Sequence, residues 1–285
     1  MIFSKKQTII LTVLVLFSVL AFVVNLKDEA GLKVYFLDVG QGDSIFIETE
    51  NKKQILVDGG PDNRVIQKLS EVMPFWDRTI DFIVLTHPDH DHIGGLPEIL
   101  KRYKVSGIIE TGVQCEKVEC KVWNDLKEKE KAVVILPKLG DSIVFDENTK
   151  ILILSPFESI VGKKISKANN ISIVAKLIYG NHSILLTGDI EKQVEEKLVL
   201  AGLDIDSDYL KIPHHGSKTS TTEEFLQNTS PLMAFISLGI DNSYGHPHEE
   251  VISRLEKRNI KYYRTDELGT ILLSCKFNQP CQIKN

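Results

Sequence analysis

One loop of the chain crowds histidine and aspartate together directly after an apolar segment. It runs from Thr86 to Gly95 as Thr-His-Pro-Asp-His-Asp-His-Ile-Gly-Gly and follows the apolar residues 82–85. The apolar run, the glycine pair and a helix-forming segment at 96–103 indicate a buried strand, a tightly shaped loop and a helix in succession. Imidazole and carboxylate groups at alternating positions offer the nitrogen and oxygen ligands that divalent cations bind. The loop therefore predicts a metal site at the end of a buried strand rather than a solvated surface loop.

Four further groups of candidate residues also follow apolar, strand-like segments. Any one of them alone would usually be a helix cap or a turn residue, and Asp189 alone could cap a helix that we expect from Glu191. Taken together they predict the rim of a single site. The residues are Asp58, Asp189, His214 with His215, and His246 with His248.

Strand-like and helix-like segments alternate from residue 31 to the end of the sequence. Strands are predicted at 32–37, 44–48 and 82–85, for example, and helices at 65–73 and 191–201. No low-complexity linker or repeat interrupts this pattern, which predicts one domain over residues 31–285. Strand runs separated by helices indicate an α/β fold of two sheets with helices packed outside them. A chain of 285 residues, 42% of them hydrophobic, can bury a core of that size.

The beginning of the sequence has the pattern of a membrane anchor. Residues 1–7 carry Lys5 and Lys6, and residues 8–26 carry no charge. An apolar run of that length can cross about 30 Å of hydrocarbon as a helix, and the preceding lysines favour a cytoplasmic N terminus. We therefore predict a cytoplasmic segment at 1–7, a single transmembrane anchor at 8–26 and an extracytoplasmic catalytic domain. A cleaved signal peptide, which would give a secreted protein, is the alternative, although the nearest cleavage position, Ala30, is a weak one.

The four cysteines form two close pairs in the sequence. Cys115 lies near Cys120, and Cys275 lies near Cys281. In an exported domain each pair could close a small local disulfide loop, because the environment there is oxidising. Unpaired structural thiols are the alternative, and zinc ligation is disfavoured because no histidine lies nearby.

The charge balance limits how the protein can bind an anionic substrate. Lysine and arginine total 34 against 39 aspartate and glutamate residues, a formal net charge of −5. A broad, sequence-independent nucleic-acid binder usually has a basic excess, which this chain lacks. An anionic substrate would therefore need a local positive site, such as bound metal.

Five motifs in a fixed order carry a family resemblance. They start at Leu37 (Leu-Asp-Val-Gly-Gln-Gly-Asp-Ser), His87 (the metal loop), Leu186 (Leu-Thr-Gly-Asp-Ile), Pro213 (Pro-His-His-Gly-Ser-Lys) and Asn242 (Asn-Ser-Tyr-Gly-His-Pro-His). The set resembles the metallo-β-lactamase superfamily and, more closely, the extracellular nuclease-like domain of the ComEC competence DNA-uptake proteins. The resemblance implies a four-layer αββα sandwich with a two-metal hydrolytic centre between the sheet edges.

The resemblance also implies roles for individual residues. His90 is expected to face outward, and Asp58 matches the structural aspartate beneath the metal loop. Asp91, His214 and His246 are the candidate catalytic residues, with His246 able to protonate a leaving oxygen or to bind phosphate. Independently of the resemblance, Ser217 and Lys218 directly follow the histidine pair and are candidate contacts of substrate phosphate; a polar loop that leads into the next helix is the alternative. The expected metal ligands are His87 and Asp89 for one ion, Asp91, His92 and His215 for the other, and Asp189 as the bridge.

The sequence departs from the usual superfamily pattern at two ligand positions. Asp89 stands where a histidine is common, and the further histidine expected before the bridging aspartate is missing. His182 is a poor substitute, because the strand between it and Asp189 would span about 17 Å, so we expect an exposed turn residue there. Antiparallel pairing instead places Asn169 and Asn170 beside Asp189. Fewer imidazoles and more oxygen ligands favour Mn²⁺ over Zn²⁺ and predict a weaker first site.

These features predict an exported, membrane-tethered phosphodiesterase, and the resemblance implies DNA as its substrate and a DNA-uptake channel as a partner. Two divalent ions can activate water and hold the attacking and leaving oxygens of a phosphodiester. An envelope phosphodiesterase that acts on phosphocholine-bearing polymers is one alternative. A non-catalytic module of a transformation complex is the other.

Overall fold

The computed structural model describes residues 5–6, 10–15, 17–18 and 31–284. The chain divides into two compact units, Met1–Gly31 and Leu32–Asn285. In the first unit the described residues between 5 and 18 are helical, whereas Gly31 is not. Within the described part of the chain, no helix is both long enough and apolar enough to cross a membrane. The predicted anchor at 8–26 falls largely outside the described residues and stays a prediction.

The second unit contains strands that are joined into two sheets. An eight-stranded sheet has the order β15-β14-β1-β2-β3-β4-β5-β6, and a seven-stranded sheet has the order β13-β12-β11-β10-β9-β8-β7. The strands are β1 Leu32–Phe36, β2 Ile45–Glu48, β3 Gln54–Val57, β4 Thr79–Leu85, β5 Lys104–Glu110, β6 Val133–Ile135, β7 Ser142–Val144, β8 Thr149–Ser155, β9 Val174–Tyr179, β10 His182–Leu186, β11 Tyr209–Lys211, β12 Met233–Ile236, β13 Lys261–Arg264, β14 Ile271–Cys275 and β15 Gln282–Lys284.

Each sheet is antiparallel in one part and parallel in the other. Strands β3 to β6 run parallel in the first sheet, and β10 to β13 run parallel in the second. Parallel strands bring their carboxyl ends to the same edge of a sheet, where crossover loops meet. The loops after β4, β10 and β11 carry the predicted metal ligands, so this topology gathers residues from distant parts of the sequence.

Helices cover the outer face of each sheet. They are α1 Arg64–Val72, α2 His90–Ile93, α3 Leu96–Arg102, α4 Val118–Glu130, α5 Lys192–Leu200, α6 Glu223–Thr229, α7 Glu249–Lys257 and α8 Thr265–Leu268, with short 3₁₀ turns at Asn169–Ile171 and Pro213–Gly216. One apolar cluster packs α1, α3 and α4 against the first sheet, and another packs α5, α6 and α7 against the second. The four layers are therefore helix, sheet, sheet and helix, as predicted.

The central core lies between the two sheets. Phe36 of β1 stacks on Phe235 of β12, with ring centroids 4.1 Å apart and planes 10° from parallel. Val84 and Leu186 are buried in the same cluster. They lie near the ends of β4 and β10, the strands that lead into the loops with the predicted metal ligands. Burial of apolar side chains on both inner faces supplies the main driving force for joining the sheets. The packed core also fixes the distance between the loops at the sheet edges.

Both predicted cysteine pairs are disulfides. Cys115 is bonded to Cys120 at the start of α4, and Cys275 at the end of β14 is bonded to Cys281 before β15. The alternative of unpaired thiols does not hold in this structure. The first disulfide lies next to the metal loop, because α2 and α4 are in contact.

Candidate metal centre

The metal loop is held in shape by backbone contacts with the turn after β3. The carbonyl of His92 accepts a hydrogen bond from the Gly59 N–H at 2.7 Å. A Cβ atom on Gly94 would lie 2.1 Å from the Pro61 carbonyl oxygen, and one on Gly95 would lie 2.2 Å from the Gly59 oxygen. The glycine pair is therefore required by this close approach, and it fixes the single helical turn that carries His90, Asp91 and His92.

Four of the predicted ligands converge on one point. Their ligand atoms all lie within 4.8 Å of one another. One carboxylate oxygen of Asp189 is 3.2 Å from Nε2 of His92 and 3.2 Å from Nε2 of His215. The same nitrogen of His215 is 3.2 Å from Oδ2 of Asp91. Asp91 and His92 come from the first sheet, whereas Asp189 and His215 come from the second. We call these four residues the inner site.

The inner site fits a divalent cation. Nε2 of His92 and Oδ1 of Asp189 are buried and lack a hydrogen-bond partner. Buried polar atoms nearly always have a partner, and each exception calls for an explanation. Two imidazole nitrogens and two carboxylates form a donor set that first-row divalent metals accept. The unpartnered atoms and the donor chemistry thus agree on a metal site.

The pKa values reflect the crowding of carboxylates and imidazoles. Burial raises the pKa of Asp189, but the charges of His215 and His92 outweigh it and hold that pKa well below its usual range. Burial likewise lowers the pKa of His92 and His215, but Asp189 and its neighbours raise both well above 6.5. Burial also opposes ionisation of Asp91, whose pKa is nevertheless lowered by His92 and His215. The carboxylates therefore stabilise positive charge in the inner site. Without a metal, protons on His92 and His215 provide that charge.

His87 and Asp89 lie beside the inner site and form what we call the outer site. The ring of His87 is buried, with its centroid 4.1 Å from that of His92, and its Nε2 lies 3.6 Å from Oδ2 of Asp89. Burial, reinforced by the positive charge of His92, lowers the pKa of His87 to about 4. The imidazole of His87 is therefore neutral at pH 7, and its buried Nε2 has no hydrogen-bond partner.

Asp58 holds the first imidazole of the inner site from behind. Its carboxylate accepts hydrogen bonds from the Thr86 N–H at 2.8 Å and the Thr86 hydroxyl at 2.7 Å, and it lies 2.8 Å from Nδ1 of His92. A carboxylate on one ring nitrogen directs the other nitrogen toward the metal position. Asp58 thus occupies the place beneath the metal loop that the resemblance implies.

Asp43 and Lys211 support the second imidazole. Asp43 belongs to the first sequence motif, but its pairing with Lys211 was not predicted. Nδ1 of His215 lies 2.8 Å from the Ser237 carbonyl oxygen and 3.3 Å from Oδ1 of Asp43. Oδ2 of Asp43 is 2.7 Å from Nζ of Lys211, whose side chain is fully buried. A lysine inside the apolar strand sequence Tyr-Leu-Lys-Ile was the available signal, because a buried lysine needs an anionic partner.

Two adjacent histidines point to different parts of the site. His214 and His215 both have positive φ, at 49° and 54°. This left-handed backbone is unusual for residues other than glycine and persists where surrounding contacts fix it. His215 turns into the inner site, whereas His214 contacts Asn169 and Thr219, each at 3.2 Å. Burial lowers the pKa of His214 below 6.5.

An open cavity of about 320 Å³ lies over the inner site. The predicted residues Asn169, His214 and His246 line it. Lys117 and Tyr244 also line it and were not predicted as site residues. Tyr244 lies two positions before His246 in the motif that starts at Asn242, so the sequence offered a signal from which it could have been predicted. Lys117 lies in a charged, helix-prone stretch that gives no such signal.

His246 is fixed by its neighbours at the wall of the cavity. Asn242 accepts a hydrogen bond from the His246 N–H at 2.9 Å and donates one to its carbonyl at 2.7 Å. The ring stacks on Tyr244, with centroids 5.6 Å apart. Burial, together with positive charge on His215, lowers the pKa of His246 to about 4, so this imidazole is neutral at pH 7.

Several predicted residues lie outside the cavity. Asn170 bonds to Glu191 at 2.9 Å. The buried hydroxyl of Ser217 bonds to Thr219 at 3.0 Å, and Lys218 is exposed, so the predicted phosphate contacts of Ser217 and Lys218 stay predictions. His90 is exposed beside Glu119, as expected, but unlike these residues it also lines the cavity.

His182 differs from its prediction. It is the first residue of β10 and is half-buried, and its Nε2 lies 3.3 Å from the Lys276 carbonyl oxygen. The prediction of an exposed turn residue at this position is therefore wrong. Ser172 lies between the bridging aspartate and the first histidine of the metal loop. Its hydroxyl accepts a hydrogen bond from the Asp189 N–H at 3.2 Å and lies 3.3 Å from Nδ1 of His87.

Comparison with known proteins agrees with the fold. Residues 37–239 match the family model described as the metallo-beta-lactamase superfamily. This match covers more than half of the sequence. The chain belongs to the metallo-β-lactamase superfamily, whose fold binds divalent metals.

Within that superfamily the chain is similar to competence proteins, which confirms the resemblance to ComEC proteins. It is 35% identical to ComE operon protein 3 of Bacillus subtilis, over 84% of this chain and 32% of that protein. It is 31% identical to competence protein ComA of Neisseria gonorrhoeae, over 86% of this chain and 32% of that protein. The chain therefore spans about a third of the length of these relatives.

Solved structures support the fold. The metallo-β-lactamase fold protein YhfI of Bacillus subtilis matches with a TM-score of 0.58 at 12% identity, over 86% of this chain and 100% of that one. Igni18, a metallo hydrolase of Ignicoccus hospitalis, matches with a TM-score of 0.56 at 15% identity and the same coverages. At such identities these structures show a shared architecture alone.

Proposed function

We propose that the chain is a metal-dependent phosphodiesterase that cleaves DNA. The observation that carries this proposal is an open cavity in which a four-donor inner site, a lysine and two neutral histidines face the same space. The superfamily and the hydrolase fold support metal-dependent hydrolysis. The names of the competence relatives support DNA as the substrate.

A divalent ion bound by the inner site would supply a Lewis acid that polarises a phosphoryl oxygen. The residues of the chain do the remaining work. Asp189 faces both His92 and His215, so the three groups hold a fixed geometry before substrate arrives. Asp91 stays ionised because its pKa is lowered. Such a carboxylate is a weak base, so it is better suited to ligate a metal or to accept a hydrogen bond from water than to remove a proton.

Neutral imidazoles are available for proton transfer at the cavity wall. His214 and His246 face each other, with ring centroids 5.7 Å apart, and the lowered pKa of each leaves it uncharged at pH 7. A neutral imidazole accepts a proton from one side and donates an N–H on the other. We assign to this pair the proton exchange between water and the leaving oxygen.

Recognition of DNA rests on a charge and an aromatic ring. Lys117 brings an ammonium group to the cavity of an otherwise acidic protein. Tyr244 is 65% exposed and already stacked on His246, so its free face can stack on a nucleobase. The bases of single-stranded DNA are free to stack on an aromatic side chain, whereas those of a duplex are stacked on each other. We therefore expect single-stranded DNA to be the better substrate.

We also propose that the domain acts outside the cytoplasm, tethered by the predicted anchor at 8–26. Two disulfides support this location, because they persist in oxidising compartments. Association with a DNA-uptake channel follows as a proposal from the competence relatives.

The test is cleavage of labelled single- and double-stranded DNA by the full chain with Mn²⁺. His215→Ala should reduce the rate by about a hundredfold or more, because it removes a metal ligand. His182→Ala is the matched histidine control, since His182 is not among the residues that line the cavity and its Nε2 lies 3.3 Å from the Lys276 carbonyl oxygen, so the rate should stay unchanged. Hydrolysis of bis-p-nitrophenyl phosphate without DNA cleavage would point to another phosphodiester, and no hydrolysis at all would refute the proposed activity.

A further inference from the structure

Lys117 contacts the outer site directly. Its Nζ forms an ion pair with Oδ1 of Asp89, the residue predicted to ligate a second ion. The same ammonium group lies 3.3 Å from the carbonyl oxygen of Pro88. Two acceptors of the metal loop are thus already bound to a cation that belongs to the chain.

The outer site offers few ligands of its own. Its own donors are the imidazole of His87 and the carboxylate of Asp89, with Nε2 and Oδ2 3.6 Å apart, and a second ion would have to share Asp189, the predicted bridge, with the inner site. Asn169 directs its amide to His214, and the Ser172 hydroxyl lies 3.3 Å from Nδ1 of His87, on the ring nitrogen that faces away from Asp89. Protein metal sites usually supply at least three side chains. The outer site reaches three only by sharing Asp189 with the inner ion, and Asp89 is already paired with an ammonium group, so the site holds a second divalent ion weakly.

The position of Lys117 is built into the fold. It is the residue before α4, and it lies inside the loop closed by the disulfide between Cys115 and Cys120. The neighbouring Glu119 contacts His90 at 3.1 Å, so the same loop has a second attachment to the metal loop. The backbone of Lys117 is therefore held beside Asp89, although the side chain is half exposed.

We propose that the ammonium group of Lys117 takes the place of the outer metal ion. The chain then binds one divalent cation, at Asp91, His92, Asp189 and His215. Lys117 neutralises Asp89, and its ammonium group lines the cavity. This inference replaces the second of the two ions predicted from the sequence. It does not depend on the substrate, because it concerns the number of ions that the protein binds.

The experiment counts Mn²⁺ ions bound to the full chain by equilibrium dialysis. The wild-type chain should bind one ion. Lys117→Ala should bind a second ion on the order of tenfold more tightly than the wild type does, because one positive charge beside a divalent ion is removed. Lys164→Ala is the matched control: Lys164 pairs with Glu116 at 2.7 Å near the same loop, and its removal should leave the count at one.

Asp89→Asn gives an independent reading that does not rely on folding of the lysine variant. It should still bind one ion with unchanged affinity, since Asp89 lies outside the inner site. Circular dichroism of each variant checks that the fold is retained. Two ions of similar affinity in the wild type, one ion in both the wild type and Lys117→Ala, or loss of an ion in Asp89→Asn would each overturn the proposal.

Discussion

The two imidazoles of the inner site are each held by an aspartate on the far side of the ring. Asp58 binds His92 together with Thr86, whereas Asp43 binds His215 together with a buried lysine. Both arrangements fix a ring orientation before a metal is bound. The second is more demanding, because Asp43 and Lys211 are buried charges that depend on each other.

Asp43→Ala should therefore destabilise the protein strongly. It leaves the ammonium group of Lys211 buried without its partner, which typically costs about 3–5 kcal/mol. Urea unfolding measures the loss. Glu158→Ala is the control, since its pair with Lys163 is exposed and should contribute less than about 1 kcal/mol. Adding Lys211→Met to Asp43→Ala should recover much of the loss, and failure to do so would contradict the unpaired charge as its cause.

Site residues could be predicted from the sequence where a histidine or aspartate directly follows an apolar, strand-like segment. Asp91, His92, Asp189 and His215 follow apolar strands, and all four meet at the inner site. Lys117 could not be predicted in this way. Its contact with Asp89 depends on how α4 packs beside α2, which no local pattern encodes.

Among the elements, the turn formed by α2 and the start of α3 has the strictest steric requirement. Gly95 lies where a Cβ atom would meet two backbone oxygens, of Gly59 at 2.2 Å and of Asp62 at 2.5 Å. Backbone oxygens cannot move aside as the end of a flexible side chain can. The placement of the metal loop thus depends on the absence of a side chain at this position.

Gly95→Ala should weaken Mn²⁺ binding by about tenfold or more, because the loop must shift and carries Asp91 and His92 with it. Isothermal titration calorimetry measures the change. Gly202→Ala is the comparison: nothing lies within 4 Å of its Cβ position, and its φ of +62° adds only about 1–2 kcal/mol of strain. That variant should be less stable but should keep its metal affinity; equal metal affinity in both variants would refute the steric argument.

Elements with strong periodic patterns were predicted, and elements that depend on tertiary pairing were not. Strands β5 and β6 escaped notice because β5 contains Ser106 and Gly107 and β6 is only three residues long and mostly exposed. The asparagine pair shows a similar limit. The register of β9 with β10 pairs Ala175 with Leu186, and the 3₁₀ turn before β9 then directs Asn170 toward Glu191.

At the scale of the whole molecule, the donor set determines which metal supports activity. Carboxylates make up half of the inner site, which is a harder environment than the histidine-rich centres that zinc favours. We expect DNA cleavage by the full chain to be faster with Mn²⁺ than with Zn²⁺. The measurement compares rates after the metal-free chain is loaded with each ion at matched occupancy. Strong activity with zinc alone would contradict the prediction.

The inner site takes its four ligands in equal numbers from the two sheets. Asp91 and His92 follow β4 of one sheet, while Asp189 and His215 follow β10 and β11 of the other. A cation held there would cross-link the two halves of the sandwich at their common edge. Removal of the ion by a chelator would therefore loosen the entire domain rather than one loop. Resistance to proteases would fall on chelation and return when the ion is added back.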